Sequence, residues 1–268
     1  MYDTISPQSK DRNEYERILR GCSAIELAHT ASLIHDDIID NDNFRRGKRT
    51  LHSMKGLPTA LIYGHQLITV GFRIALEFGD SFTDLYINTW KNAVNGEIEE
   101  INFSHHQNSI SDISKKKLIN KYYSVLSKKT SSLFSASCQS GAILANADRK
   151  TINLADKIGN EIGLAYQLAD DFIDLQNGDY IDSILLPLFS SINHSKNVIP
   201  TNIEKIENTI ENNHVKINKF YDYRIKYHLK KAKSMISSGY FPNSQYKEYL
   251  LEMPDFIVNK MYSAKIKN

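Results

Sequence analysis

The chain has 268 residues, 41% of them hydrophobic and 24% charged, with 12 Gly, 6 Pro and a net charge of +2 from 33 basic and 31 acidic side chains. This is an ordinary globular composition for one large domain, and its near-balanced charge gives no general case for nucleic-acid binding. No apolar run reaches the roughly 18 residues of a membrane span, and the opening MYDTISPQSKDRNEYERILR is too polar for a secretion signal, so the expected setting is the cytoplasm.

Taken in order, residues 1–12 read as a loose arm containing Pro7. From Tyr15 the apolar or small residues Ile18, Leu19, Cys22, Ile25, Ala28, His29, Ser32 and Leu33 recur at spacings of three and four, which predicts one long helix ending near Asp40. Asn41, Asp42 and Asn43 break it, and Arg45, Arg46, Lys48 and Arg49 fall around Gly47 in the following loop. Helices are expected over 59–78, 82–106 and 114–145, the last containing the small-residue run KKTSSLFSASCQSGAILANA, which permits close packing around a cavity. A helix over 151–175 follows, and ILLPLF at 184–189 resumes helix interrupted by Pro187. The signal then thins: 203–223 is weakly periodic, and 228–262 reads as two short helices broken around Gly239 and Pro242. The basic run Arg224 to Lys233 reads as a solvated helix face, because no aromatic interleaving of the ribonucleoprotein kind accompanies it. The two cysteines, Cys22 and Cys138, are far apart in apolar helical contexts and are expected to be buried free thiols in a reducing compartment.

Chemistry concentrates in two stretches, HDDIID and ADDFID. Each holds two adjacent aspartates and a third three residues on: Asp36, Asp37 and Asp40, then Asp170, Asp171 and Asp174. Residues i and i+4 of a helix share a face, so Asp36 stacks over Asp40 and Asp170 over Asp174, and two helices so equipped can face each other. Stacked carboxylates repel unless a cation lies between them. Carboxylates of this kind suit Mg²⁺, which keeps waters and shares its shell with substrate phosphates, so the expected ligand is a magnesium-bound phosphate ester. Loop guanidinium groups beside such a site grip the phosphate oxygens that the metal leaves open.

The ordered set HDDIIDNDNFRRGKRTLH, Gly96-Glu97, Lys129-Thr130 followed by Leu-Phe, and YQLADDFID resembles the trans-isoprenyl diphosphate synthases of the polyprenyl synthetase family, over roughly residues 20–190. The resemblance implies an all-α fold, an isoprenoid-synthase-type helical bundle around a deep central cavity, homodimeric as a rule, with residues 190–268 as divergent C-terminal helices. It implies three Mg²⁺, two on Asp36 and Asp40 and one on Asp170, with Asp174 counted to the metal set and Asp37 and Asp171 supporting from the edge. Arg45 would hold the allylic diphosphate and Arg46 a second one. Lys129, Thr130 and Gln167 resemble the family's further phosphate and carbocation contacts, Lys129 being counted among the catalytic residues.

The implied reaction ionises an allylic isoprenyl diphosphate and elongates it with isopentenyl diphosphate. Ala28, Ala31 and Ser32, below the first aspartate set, provide no bulky floor where short-chain members of the family place aromatic residues, so a product or substrate longer than farnesyl is expected. Each further turn adds about 5.4 Å, roughly an isoprene unit. There are departures. Nothing before Glu14 replaces the glycine, lysine and arginine motif that the family uses for isopentenyl diphosphate, and the segment after Asp174 lacks its lysine. His65 stands where aspartate is usual and Glu100 where glutamine is common. Other readings therefore stay open: a relative that transfers or cyclises the prenyl cation with another acceptor, a non-catalytic subunit of a heteromeric synthase, or a sequence missing its first helices.

Overall fold

The computed structural model describes residues 1–8, 10–105, 115–177 and 203–265. Its order is α1 (Tyr2–Ile5), α2 (Arg12–Ile39), β1 (Phe44–Arg45), β2 (Lys48–Arg49), α3 (Leu51–Lys55), α4 (Leu57–Leu76), α5 (Asp80–His105), α6 (Lys115–Leu126), a π-helical turn (Ser127–Ser131), α7 (Ser132–Leu144), α8 (Arg149–Asn177), α9 (Ile203–Ile236) and α10 (Gln245–Lys265). The all-α expectation is met: the described strands are one two-residue antiparallel pair, Phe44 opposite Arg49 and Arg45 opposite Lys48. No helix among the described residues is long and apolar enough to cross a membrane. The expected helix over ILLPLF lies outside the described residues.

Internal packing divides the chain into two compact units, Met1–Lys91 with Ala136–Asp156, and Asn92–Ser135 with Lys157–Asn268. In the first, Asp11 caps α2 by accepting a 2.8 Å hydrogen bond from the Glu14 backbone N–H, which satisfies one of the donors a helix start leaves open. The buried face of α2 is Ile18, Gly21, Ala24, Ile25, Ala28 and Ala31, while Tyr15 and Leu19 are half exposed. The expected apolar face is met at Ile18, Ile25 and Ala28 but is rotated overall: Gly21, Ala24 and Ala31 turn inward, while Tyr15, Leu19 and Cys22 turn outward. The cause is the closeness of α4, α5 and α7. A Cβ on Gly21 would stand 2.8 Å from Leu144, and one on Gly71 of α4 would stand 2.4 Å from the Tyr86 hydroxyl. Leu144, fully buried in this cluster, stabilises it by about 2 kcal/mol through removal from water.

Two expectations are corrected here. Residues 1–12 are not a loose arm throughout: Tyr2 and Thr4 are buried, the Tyr2 hydroxyl donates to Glu14, and Gly141 lets the chain at Met1 and Tyr2 close on α7. Cys138 is buried but Cys22 is exposed, as the phase of α2 requires.

The second unit has its own core. Leu118, Tyr122, Val125 and Leu126 of α6, Leu164, Ala165, Leu168 and Ala169 of α8, Ile217, Tyr221 and Ile225 of α9 and Val258 of α10 form one buried cluster. Here Gly159 and Gly163 of α8 bring that helix onto the π turn and the start of α7: added Cβ atoms would lie 2.5 Å from the Phe134 carbonyl oxygen and 2.6 Å from the Ser131 Cα. The expected unbroken helix over 114–145 is therefore two helices joined by a widened turn. The C-terminal break falls around Gly239 and Pro242 as expected, between Ile236 and Gln245, but the helix before it starts at Ile203 and runs unbroken through His228, where the first of two short helices was expected to begin. Its inward face includes His228, which is 5% exposed and donates from Nδ1 to Glu161 of α8 at 2.6 Å, while Lys231 donates to the same carboxylate at 2.7 Å.

Candidate active site

The first aspartate set closes α2. Asp37 is buried, Asp36 half-buried and Asp40 exposed at the C-cap. After it the chain reverses through the hairpin β1–β2, whose two central residues, Arg46 and Gly47, both have positive φ (52° and 75°), the combination a type I′ turn demands. The reversal brings the flanking Arg45 back over the helix end. Its Nε donates to Asp37 Oδ1 at 2.5 Å and its Nη2 to Asp36 Oδ2 at 2.9 Å. Burial alone would lower the guanidinium pKa, but the hydrogen bonds and charges of Asp37 and Asp36 outweigh it and raise the value. Arg46, at the turn tip, is exposed.

Below this set Ala31 is fully buried and Ala28 is packed among Ile25, Ile74 and Ala75. The Ser32 hydroxyl bonds back to the His29 carbonyl at 2.8 Å. His65 is exposed on α4, with its ring centroid 5.3 Å from that of His35, which in turn lies 5.9 Å from Trp90. Desolvation, aided by His65, lowers the His35 pKa.

The second set sits on α8 in the other unit. Asp170 and Asp174 are half-buried, and Asp171, turned about 100° from Asp170 by helix geometry, enters a network of hydrogen bonds. The Tyr122 hydroxyl of α6 donates to one of its oxygens, and Gln167 Nε2 donates to the other at 2.9 Å. Thr130 Oγ1 then donates to Gln167 Oε1 at 2.6 Å, so the Gln167 amide has its carbonyl toward the π turn and its NH₂ toward Asp171. Tyr221 of α9, buried beside Tyr122 in the same cluster, helps to keep this network from water. Asp171 keeps some accessible surface, yet its surroundings are dense enough that desolvation raises its pKa to about 7, against the pull of Tyr122 and Gln167 and with help from Asp170 and Glu100.

Lys129 lies in the π turn with Thr130. Its Nζ is 2.9 Å from Glu97 and 2.6 Å from Glu100 of α5, while neighbouring Lys128 pairs with Glu99. Gly96 makes this possible, because a Cβ there would fall 2.5 Å from the Lys129 amide nitrogen. A π turn inserts one residue into the helical repeat, so both lysines reach α5. Sequence reasoning missed the glutamate pairing of Lys129 and the support from Tyr122 and Tyr221. Gly96-Glu97 was the visible trace of the former; the tyrosines carried no signal beyond being apolar core.

Within each unit the arrangement can hold a divalent cation in one way. Among the described residues no group of three or more His, Cys, Asp or Glu side chains forms a metal cage. Each aspartate set instead offers hard oxygen donors at i and i+4, which fits a cation that keeps waters and completes its shell with substrate phosphate.

Comparison with known proteins gives the family and the fold. Residues 2–183 match the family described as polyprenyl synthetase. The chain is similar to a geranylgeranyl diphosphate synthase of Sulfolobus acidocaldarius, 33% identical over 192 residues, covering 69% of this chain and 55% of that protein. Among solved structures, the geranylgeranyl pyrophosphate synthetase of Pyrococcus horikoshii superposes with a TM-score of 0.75 at 22% identity, covering 96% of this chain and 82% of the other. A Caulobacter crescentus polyprenyl synthase complexed with calcium and isoprenyl diphosphate gives 0.72 at 21%, covering 96% and 87%. At those identities the structural likenesses show the helical fold. The chain spans about half the length of the curated relatives it matches.

Proposed function

The chain belongs to the polyprenyl synthetase family, and from that membership we propose that it ionises an allylic isoprenyl diphosphate and elongates the prenyl group with isopentenyl diphosphate. The observation that carries this reading is the pairing of each aspartate set with the cation or amide network such a reaction needs: Arg45 on Asp36 and Asp37, and Thr130 and Gln167 on Asp171. Asp36, Asp40, Asp170 and Asp174 would hold magnesium, three ions when substrate is present. Bound magnesium neutralises the diphosphate and makes it a better leaving group.

Arg45 exchanges Asp36 and Asp37 for phosphate oxygens as the diphosphate enters, and Arg46, exposed at the turn, takes the second diphosphate. Lys129, held between Glu97 and Glu100, turns from them to the leaving phosphate. Gln167, fixed by Thr130 and Asp171, presents its carbonyl dipole to the developing allylic cation. Fixed dipoles and charges of this kind stabilise charge where it develops without reorganising during the reaction. The expelled diphosphate accepts the proton lost after the alkene attacks.

Incubation of purified protein with Mg²⁺ and geranyl, farnesyl or geranylgeranyl diphosphate tests this, with and without isopentenyl diphosphate. Elongated product is the expected result. Diphosphate release that is indifferent to isopentenyl diphosphate would reassign the chain to transfer or cyclisation of the prenyl cation, and silence rescued by another polypeptide would make it a partner subunit.

Product length is set along α2. With Ala28, Ala31 and Ser32 all small, the chain is expected to make products beyond farnesyl, and Ser32→Phe to shorten them by one or more isoprene units in product chromatography. An unchanged length distribution would remove this helix from the cavity wall.

The partner is a second copy of the chain. Helix α4 buries Ala60, Gly64, Gly71, Ile74 and Ala75 and leaves Leu61, Ile62, Val70 and Leu76 exposed, with Ile87 of α5, so most of its large apolar side chains ask for a cover. Ile62→Glu is expected to weaken self-association at least about a hundredfold, as loss of an interface anchor does, read by sedimentation velocity across concentration. A wild-type chain that sediments as a monomer at every concentration would overturn it. The free cysteines Cys22 and Cys138 support action in a reducing compartment such as the cytoplasm.

A further inference from the structure

The outward side of α9 carries a feature that the proposed reaction does not use. Ile217, Tyr221, Ile225, Ala232 and Ile236 face inward and are buried. Opposite them Lys216, Lys219, Tyr223, Lys226, Tyr227 and Lys230 are all exposed. At 100° and 1.5 Å per residue these six fall within an arc of about 100° and along about 21 Å of helix. Tyr223 and Tyr227 are 64% and 45% exposed and their rings stack at 6.4 Å; Tyr223 is turned to solvent, while Tyr227 keeps one exposed face and meets the buried His228 edge-on at 5.2 Å. Over the whole of α9 seven lysines and Arg224 stand against Glu204, Glu207, Glu211 and Asp222, a surplus of four positive charges in a chain that totals +2, so the rest of the molecule is net acidic. Lys231 and Lys233 are paired with Glu161 and Asp255, and the stripe's own charge is that of Lys216, Lys219, Lys226 and Lys230.

We propose that this stripe docks on a lipid bilayer surface bearing anionic headgroups. A face that is merely solvated has no use for two stacked tyrosines in the middle of its lysines. An interface of lipid and water uses both: lysine ammonium groups reach the headgroup phosphates, and tyrosine rings lie at headgroup depth with their hydroxyls in water. The one acid at the edge, Asp222, is paired with Lys226 at 2.7 Å, so it does not oppose the field of the remaining lysines. The association is peripheral and electrostatic, and it depends on salt.

Co-sedimentation of the full chain with vesicles tests it. Binding is expected to vesicles of equimolar phosphatidylcholine and phosphatidylserine, not to phosphatidylcholine alone, and to fall as salt is raised. Each lysine near such a surface contributes about a fivefold change in partitioning, so the combined variant K216E/K219E/K226E/K230E should lose binding altogether. Y223S/Y227S should weaken binding while keeping its salt dependence. Circular dichroism melts check the fold of each variant, and the corresponding lysine-to-glutamine set, which keeps a neutral helix surface, gives the same reading should charge reversal unfold the chain. Equal sedimentation with neutral vesicles, binding indifferent to all these substitutions, or preference for soluble polyglutamate over anionic vesicles would overturn the proposal.

Discussion

Asp36→Asn is expected to lower turnover at least about a thousandfold, close to 4 kcal/mol of transition-state stabilisation, while leaving the melting temperature nearly unchanged. The two parts have different causes. In the folded protein Asp36 Oδ2 accepts one hydrogen bond from Arg45 at 2.9 Å in a partly exposed setting, and pairs of that kind contribute under about 1 kcal/mol to stability. In the proposed reaction the same carboxylate would be a magnesium donor, and before substrate enters it helps to hold Arg45 over the end of α2. Asn keeps the shape and removes the charge. The control is Arg12→Gln at the exposed Arg12–Glu16 pair, which should do nothing to turnover. Retention of activity within tenfold of wild type, at saturating Mg²⁺ and allylic diphosphate, would dismiss the first aspartate set as a metal site.

Glu161→Ala is expected to lose about 3–5 kcal/mol of stability, the usual cost of removing one partner from a buried charged cluster, and roughly 10 °C in melting temperature for a chain of this size. Glu161 is 6% exposed and is the shared acceptor of His228 and Lys231, so its loss leaves the inner face of α9 unsatisfied. The acid also sets a pH dependence. Burial pushes the Glu161 pKa up, but the hydrogen bonds from His228 and Lys231 outweigh it and hold the carboxyl below its ordinary 4.5. A carboxyl depressed on folding binds fewer protons folded than unfolded, so its contribution is complete above about pH 5 and is lost as pH falls through the folded value. Melts from pH 7 down to acid should show a steeper loss for wild type than for Glu161→Gln. Identical acid slopes would mean that the cluster does not carry this charge.

How much of this the sequence showed depended on what each residue pairs with. The helical placement of the two aspartate sets was legible because helix periodicity fixes which side chains share a side, whereas the inward face of α2 was legible only at Ile18, Ile25 and Ala28. The continuity of α9 was not, since its buried face includes His228 and Asn213 and polar residues at inward positions mask the apolar repeat; only the acceptor Glu161, on another helix, explains the former. Tyr2 escaped for a similar reason, as a four-residue helix has no period to detect and gains its place from Gly141 and Glu14. At the candidate site Lys129 was recognised as a cation but not as one held by Glu97 and Glu100. That partnership depends on a break in helical phase, which no count of threes and fours reveals.

That break, at Ser127–Ser131, makes the stretch a gear with one extra tooth. Deleting a single residue there would let α6 and α7 mesh as one regular rod, and the local backbone would gain in regularity. Every downstream side chain of α7 would then rotate by about 100°, so the rod would be better formed and wrongly indexed. The same arithmetic holds for homologues: comparing this chain with a relative that keeps a plain helix there puts the residues after Ser131 one position out of step.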